Sequence, residues 1–434
     1  MPASDTGGRH SRRALLAAAA GAAGAAAVPG AAQAHGSPGH AAPAGAWTGS
    51  WAAVPTTVPP GAPAVLERQT VRHVAHLSLG GDQLRIRLSN EFGTGPLVIG
   101  EVRVARREGA GASTTTVPGT DRRVTFSGRG SATVPAGAPL VSDPVALRVG
   151  DGADVVVSIY LPQRTPVTTL AAFAYQENVI ANGNVTAARS VTAVSTVTQN
   201  LFLTGIGVRR GAGAIVALGD SITNGANTQT NANHRWPDLL APRLRAARID
   251  RGVVNLGVSG NRLLHDPNPP AGSGAEAYAA YFGQSGLRRF DRDVLAQPGA
   301  RYLVVLLGVN DLGHPGATAP ASETVSAADL IAGHRQLIAR AHQAGLRVYG
   351  ATILPFQGDT FGFYTPENER KRAELNAWIR HGGDYDGVID FDAATRDPAQ
   401  PLRLHPAYDS GDHLHPNDAG MAAMAAAVPL RFFR

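Results

Sequence analysis

The first half of the chain alternates apolar and polar positions over short stretches, which is the two-residue period of half-buried β-strands. Residues 84–88 (Leu-Arg-Ile-Arg-Leu) and 102–104 (Val-Arg-Val) follow this pattern, and residues 155–161 form a longer run rich in β-branched side chains. Gly-Gly-Asp and Gly-Asp-Gly turns lie between such runs. Several short strands separated by turns predict an all-β, jelly-roll-like sandwich over residues 47–208.

From residue 213 onward the pattern changes. Short apolar runs alternate with segments whose apolar residues recur every three or four positions, as they do on one face of a helix. Apolar runs near residues 215, 254, 304, 350 and 389 predict strands. Between them apolar residues recur on one helical face, as at Trp236, Leu240 and Leu244. Right-handed crossovers between parallel strands place helices on both faces of a sheet. Residues 213–434 are therefore predicted to form an α/β domain of three layers, with a parallel five-stranded sheet in the middle.

One of the predicted strands ends at a serine. The run Ile215-Val216-Ala217-Leu218 stops at Gly219-Asp220-Ser221, which places Ser221 at a strand tip, where clefts of open α/β sheets lie. A lone Gly-Asp-Ser is usually only a turn. However, a serine nucleophile needs a base held by a third group, and the segment 412–415 (Asp-His-Leu-His) supplies both residue types.

Two further strand ends carry small or amide residues. The segment 257–261 reads Gly-Val-Ser-Gly-Asn, and the segment 308–311 reads Gly-Val-Asn-Asp. In order and spacing, the four segments resemble the SGNH hydrolase family, also called GDSL esterases and lipases. The resemblance spans roughly residues 213 to 430, and its one local departure is Ile222, where the family name has Leu. The name-giving positions fall on Ser221, Gly257, Asn310 and His415.

The resemblance implies a flavodoxin-like fold for this domain and a serine esterase mechanism. Ser221 would be the nucleophile, His415 the base acting through Nε2, and Asp412 the carboxylate that orients the imidazole through Nδ1. Three donors would hold the oxyanion: the backbone N–H groups of Ser221 and Gly257, and the side-chain amide of Asn310.

Neighbouring polar residues receive supporting roles. Asp220 is expected to accept backbone amides in its turn, and Asp311 resembles a family position that supports the loop. His413 is not expected to be the base, since the Asp-x-x-His spacing of the family selects His415. No histidine or carboxylate spacing indicates a metal site, and no cofactor is expected. Isolated histidines on polar loops are more often solvated than pocket-lining, and this applies to His265, His314 and His405.

The N-terminus has the features of an export signal. Arg12 and Arg13 precede an Ala-rich apolar stretch that ends at Ala32-Gln33-Ala34, a small-residue cleavage site. The alternative is a membrane anchor, but the stretch is short and rich in Ala and Gly for a transmembrane helix. We predict a twin-arginine signal peptide over residues 1–34, a flexible linker over 35–46, and a secreted protein without stable membrane insertion.

Charge and cysteine content exclude some classes of partner. The formal net charge of +6 falls to +4 when residues 1–34, with three Arg and one Asp, are removed (6 − 3 + 1). The basic residues are dispersed, so no nucleic-acid partner is predicted. The chain has no cysteine, which leaves no thiol chemistry.

The sequence thus predicts a secreted serine ester hydrolase whose substrate is a small-molecule or polysaccharide ester. An acetylated sugar and a lipid ester both remain open. The alternatives are a lipase or lysophospholipase, an acyltransferase using the same acyl-enzyme, and a binding protein on a hydrolase scaffold. The β domain would either bind sugar or buttress the site, and the buttress is favoured because no periodic aromatic platform is visible. The sequence does not fix an oligomeric state.

Overall fold

Antiparallel strands make up the first half of the computed structural model, which describes residues 46–61 and 63–434. The predicted signal peptide (1–34) and all but the last residue of the predicted linker (35–46) lie outside the described residues. The strands of this half are β1 Trp47–Ala52, β2 Val65–Leu66, β3 Gln69–His76, β4 Gly81–Ser89, β5 Leu97–Ile99, β6 Glu101–Arg106, β7 Arg122–Val124, β8 Ala132–Val134, β9 Pro139–Val141, β10 Val145–Val149, β11 Asp154–Leu161, β12 Thr165–Pro166, β13 Leu170–Ala171, β14 Asn178–Asn182, β15 Ser195–Val197, β16 Asn200–Leu201 and β17 Leu203–Arg209.

Two larger antiparallel sheets enclose one apolar core. One has the order β1-β17-β4-β10, with β9 also paired to β4, and the other has the order β15-β14-β3-β11-β6-β7. The pairs β12-β2, β13-β16 and β5-β8 are separate. In β4 the apolar Leu84, Ile86 and Leu88 are fully buried, whereas Arg85 and Arg87 between them are partly exposed. The predicted alternation is therefore confirmed, and it builds a sandwich.

The second half contains a parallel five-stranded sheet flanked by helices, as predicted. Its strands are β18 Ala214–Gly219, β19 Gly252–Gly257, β20 Ala300–Leu306, β21 Arg347–Ala351 and β22 Gly387–Ile389, in the order β19-β18-β20-β21-β22. The helices are α1 Ser221–Asn224, α2 Trp236–Ala246, α3 Gly286–Phe290, α4 Val309–Gly313, α5 Ala327–Gln343, α6 Pro366–His381, α7 Phe391–Thr395 and α8 Asp418–Ala427. Shorter turns of helix are Gly274–Ala277, Ala279–Phe282, Asp291–Leu295, Ala321–Glu323 and Leu430–Phe433.

Alternate residues of the buried strands face different helices. Val216 and Leu218 of β18 belong to one core with side chains of α5 and α6, whereas Ile215 and Ala217 belong to a second core with α2 and α8. Helix α6 begins where Thr365 caps it by accepting the Asn368 N–H at 3.0 Å. Burial on both faces explains why β18 is apolar throughout.

Strand β1 belongs to both halves of the molecule. It pairs with β17, and its Trp51 lies in the core of the sandwich. Ala52 and the nearby Val54 lie instead in the core that contains Val254 of β19. The Gly49 N–H also donates to the Pro298 carbonyl at 2.7 Å. The described residues form one compact unit, and the domain limits 47–208 and 213–434 stay a prediction about two parts of it.

No helix within residues 46–61 and 63–434 has both the length and the apolarity to cross a bilayer.

Candidate active site

Ser221 lies at the carboxyl end of a central strand, where β18 turns into α1. The Asp220 side chain caps this short helix by accepting the Ile222 N–H at 2.9 Å. Gly225 ends the helix with a φ of 101°, a conformation that favours glycine. Asp220 is buried, and burial raises the pKa of its carboxyl to about 7. The expected role of Asp220 as an acceptor of backbone amides agrees with this geometry.

The structure joins Ser221 to His415 and Asp412 in one line of hydrogen bonds. The Ser221 Oγ lies 2.8 Å from His415 Nε2, and His415 Nδ1 lies 2.6 Å from Asp412 Oδ2. Ser221 and His415 are both buried, with 6% and 8% of their surface exposed. Such a line lets the imidazole take the serine proton while the carboxylate fixes its tautomer.

Asp412 is held in its ionised form by four donors. Its Oδ1 accepts the N–H groups of Leu414 at 2.9 Å and His415 at 2.8 Å, while Oδ2 accepts the His415 ring and the Asn227 amide at 2.7 Å. Burial alone would raise its pKa, but the bond and the charge of the imidazole, together with the backbone donors, hold the pKa of Asp412 well below its usual range. Asn227 also donates to Ser410 Oγ at 2.9 Å.

Sequence reasoning missed Asn227. It has a φ of 63°, a left-handed conformation that asparagine tolerates better than most residues. Nothing in its sequence context distinguishes it from an ordinary turn residue, because its partner Asp412 lies 185 positions later.

His413 forms a separate pair with a different carboxylate. Its Nδ1 is hydrogen-bonded to Asp409, and its backbone N–H donates to Asp409 Oδ1 at 3.0 Å. About half of its side chain is exposed. The structure thus brings His415 to the serine and directs His413 to Asp409, in keeping with the Asp-x-x-His register.

Asn310 lies in the first turn of α4, directly after β20, and is buried. Its Nδ2 donates to the Asn261 carbonyl at 3.0 Å, which leaves the second amide hydrogen for another acceptor. The neighbouring Asp311 accepts the N–H groups of Leu263 at 2.7 Å and Leu264 at 2.9 Å, and burial raises the pKa of Asp311 to about 6. Both side chains therefore fix the loop that follows β19.

Gly257 does not fit its predicted role as an oxyanion donor. Its N–H already donates to Asn255 Oδ1 at 2.9 Å, and a Cβ built there would lie 2.2 Å from the Asn224 nitrogen. The glycine is required by close packing against α1. Three residues later, Gly260 has a φ of 76°, and no partner for its N–H is found among the described residues. Gly260 is the better placed donor, because the next residue, Asn261, accepts the Asn310 amide.

A buried arginine, also missed from the sequence, ties the two strand ends together. The guanidinium of Arg289 donates at 3.0 Å each to the Gly219 carbonyl, the Leu256 carbonyl and Asn261 Oδ1, and it lies 3.4 Å from Asp293. Burial lowers its pKa to about 10, so the group stays charged at neutral pH. Arg289 links the residue before Asp220 to the loop that follows β19.

The sandwich contacts this region through its loop 172–177. Asn224 Nδ2 donates to the Phe173 carbonyl at 3.2 Å. Asn231 Oδ1 accepts Gln176 Nε2 and the Glu177 N–H, both at 2.8 Å, and its own amide donates to the Glu177 carboxylate at 2.6 Å. These contacts agree with a buttress.

One predicted surface histidine is buried instead. His314 follows α4 and lies between Phe282 and Phe363, with ring centroids 5.0 and 5.6 Å away. Burial lowers its pKa to about 3, so the imidazole is neutral. The expectation of a solvated His314 was wrong, because the loop after Asn310 turns inward. His265 and His405 are partly exposed. In the part of the chain that the structure describes, no group of three His, Asp or Glu could hold a metal ion.

Comparisons with known proteins identify a family and several similar solved structures. The model of the GDSL-like lipase/acylhydrolase family matches residues 217–423. The native aryl esterase of M. smegmatis is 17% identical, covering 51% of this chain and 100% of its own, with a TM-score of 0.39. A GDSL-like lipase from Bacteroides thetaiotaomicron VPI-5482 is 17% identical, covering 49% and 84%, with a TM-score of 0.34. A variant of an acetyl-xylooligosaccharide esterase from Geobacillus stearmophilus is 18% identical, covering 50% and 91%, with a TM-score of 0.35. No curated protein matches the chain.

Proposed function

Residues 217–423 belong to the GDSL-like lipase/acylhydrolase family, which makes the chain a carboxylic ester hydrolase, and from that premise we propose that it cleaves small acyl esters through an acyl-enzyme on Ser221. The observation that carries the proposal is the unbroken line from Ser221 Oγ through His415 to Asp412 Oδ2. A nucleophile, a base and an orienting carboxylate in one buried line serve acyl transfer, and a binding protein has no need of them.

The proposed reaction proceeds in two halves. Ser221 Oγ attacks the ester carbonyl while His415 Nε2 takes its proton. The tetrahedral intermediate then breaks its bond to the leaving oxygen, which receives that proton from His415. A water molecule, deprotonated by His415, then attacks the acyl-serine. The bond to Ser221 Oγ breaks as His415 returns the proton to that oxygen, and the acid is released. The developing oxyanion would be held by the Ser221 N–H, the free amide hydrogen of Asn310 and the Gly260 N–H.

Packing near the oxyanion donors favours a short acyl group. A Cβ at Gly260 would lie 2.1 Å from Phe282, and a Cβ at Gly313 would lie 2.1 Å from Phe363. Aromatic rings therefore pack closely against the two loops that carry Gly260 and Asn310, and this close packing supports the proposal of a small substrate.

Ser221→Ala tests the nucleophile. We expect kcat on p-nitrophenyl acetate to fall by about 10⁴ to 10⁶, with an unchanged fold by circular dichroism, because the members of a triad act as a unit. Retention of more than about a tenth of wild-type kcat would contradict the proposal. A panel of p-nitrophenyl esters from acetate to palmitate then tests acyl length, and a rising kcat/KM with chain length would indicate a lipase instead.

We also propose that the protein is exported by the twin-arginine route. The support is the Arg12-Arg13 pair followed by an Ala-rich stretch and a small-residue cleavage site. Expression of the full chain in a bacterium that has this pathway should release a protein that begins at His35, as read by N-terminal sequencing. Replacing both arginines by lysine should keep it inside the cell, and unchanged release would contradict the route.

A further inference from the structure

An exposed phenyl ring touches the catalytic imidazole. Phe361 lies edge to face with His415, with ring centroids 5.8 Å apart and an interplanar angle of 87°. The residue is 51% exposed, although the imidazole that it contacts is buried. It ends an aromatic row made of Phe282, His314, Phe363 and Phe361, whose successive ring centroids are 5.0, 5.6 and 5.8 Å apart.

The loop that carries Phe361 is held rigidly. The Asp359 carboxylate accepts the N–H groups of Phe361 and Phe363 at 2.9 Å and of Tyr364 at 2.7 Å. The Thr360 N–H donates to the Asp412 carbonyl at 3.1 Å, which attaches the loop to the segment that carries the base. The phenyl ring is therefore presented to solvent in a fixed position, and an ordered apolar group can bind a ligand at little entropic cost.

The position of His415 determines which part of an ester lies near this ring. In the proposed reaction His415 Nε2 gives its proton to the leaving oxygen, so that oxygen must come within hydrogen-bond reach of Nε2. The alcohol part of the ester, which is attached to that oxygen, then lies beside the imidazole. Phe361 contacts the same imidazole and is therefore a neighbour of the alcohol part. The rest of the row is also apolar, because His314 is neutral, Phe363 is buried and Phe282 is half-buried.

We infer that Phe361 forms the contact surface for the alcohol part of the substrate and selects esters whose alcohol carries a flat apolar group. This inference rests on the proposed function. A sugar could also stack on an aromatic ring, but sugars need polar partners as well. The carboxylate that this loop carries, that of Asp359, is already occupied by three backbone N–H groups.

The test compares acetates that differ only in their alcohol. Benzyl acetate, ethyl acetate and a monoacetylated methyl xyloside are hydrolysed by wild-type protein and by Phe361→Ala, and released acetate is measured. For each substrate the ratio of wild-type to variant kcat/KM cancels the intrinsic reactivity of the ester. We expect a loss of about 10-fold on benzyl acetate and less than about 2-fold on ethyl acetate, with Phe361→Trp restoring benzyl acetate hydrolysis.

Two controls keep the outcomes distinct. Val194→Ala alters an equally exposed apolar residue of the sandwich, 52% exposed, and should leave all three ratios near one. Thermal unfolding confirms that each variant is folded. An equal loss on all three acetates would mean that Phe361 acts through His415, and a larger loss on the xyloside would make it a sugar platform. Either result overturns the inference. Full activity of Ser221→Ala would instead overturn the proposed function.

Discussion

Asp220 is a carboxylate that the fold buries beside the nucleophile, and this has a consequence for stability. Its pKa is raised to about 7, mainly by burial, so the folded state binds the proton more tightly than the unfolded chain does. A raised carboxyl pKa contributes stability that is lost as the pH rises from the unfolded value to the folded one. The relevant window therefore runs from about pH 4 to about pH 7.

Asp220→Asn should remove this pH dependence while keeping the helix cap, because an asparagine oxygen can still accept the Ile222 N–H. The free energy of unfolding of the wild type should fall between pH 5 and pH 8. In the variant we expect this fall to be about 2 kcal/mol smaller. Urea denaturation at the two pH values measures it, with the exposed Asp82→Asn as control. Parallel curves for wild type and Asp220→Asn would contradict the assignment.

Asn310 should act mainly in the transition state, since one of its amide hydrogens is fixed on Asn261 and the other has no partner among the described residues. Asn310→Ala is expected to lower kcat by about 10² to 10³ with little change in KM. Steady-state kinetics on p-nitrophenyl acetate separates the two constants. If KM rises at constant kcat, Asn310 binds the substrate and does not stabilise the oxyanion.

The two histidines of the last motif should differ sharply. His415→Ala is expected to lose as much activity as Ser221→Ala, whereas His413→Ala should lose less than about tenfold, because His413 is bonded to Asp409 and lies outside the line to Ser221. The same ester assay measures both variants. A reversed order of losses would mean that the base has been misassigned.

Ser221 and Asn310 were predictable because each follows an apolar strand within a few positions. His415 follows no strand so closely, and it was predictable from the Asp-x-x-His spacing of residues 412–415. Arg289 was not, since its carbonyl acceptor Gly219 lies 70 positions earlier and no periodicity records such a contact. The resemblance placed an oxyanion donor at Gly257, and the sequence alone does not show that this N–H is already bonded to Asn255.

At the scale of elements, the strands and long helices followed from apolar spacing, but the docking of loop 172–177 did not. Its contacts depend on Asn231, which has a φ of 68° and gives and accepts hydrogen bonds across the two halves of the molecule. Polar loop residues carry no periodic signal, so their partners emerge only from the folded arrangement.

Asn231→Gly should weaken this docking without straining the backbone, because glycine accepts a positive φ. Loss of its side-chain hydrogen bonds is expected to lower the free energy of unfolding by about 1 to 3 kcal/mol. Urea denaturation gives the value. Asn233→Gly is the matched control, since Asn233 also has a positive φ of 55°. Equal stability of the Asn231 variant and the wild type would show that the loop contacts contribute nothing.

At the scale of the whole molecule, the sandwich cannot be removed without exposing apolar surface. Ala52 and Val54 pack in the core that contains Val254, so a fragment of residues 210–434 would leave that side uncovered. We expect this fragment to be poorly soluble or strongly destabilised, as measured by sedimentation and thermal unfolding. A monomeric fragment as heat-stable as the full chain, and fully active on small esters, would make the sandwich a separable module.

Strand β1 also orders events during synthesis. The ribosome makes Ala52 and Val54 about 200 residues before it makes Val254, a delay on the order of 10 to 40 seconds at usual elongation rates. Strand β17, which pairs with β1, is complete before β19 begins. The sandwich can therefore close first, and it then presents Ala52 and Val54 as a nascent nucleation surface on which the later sheet assembles.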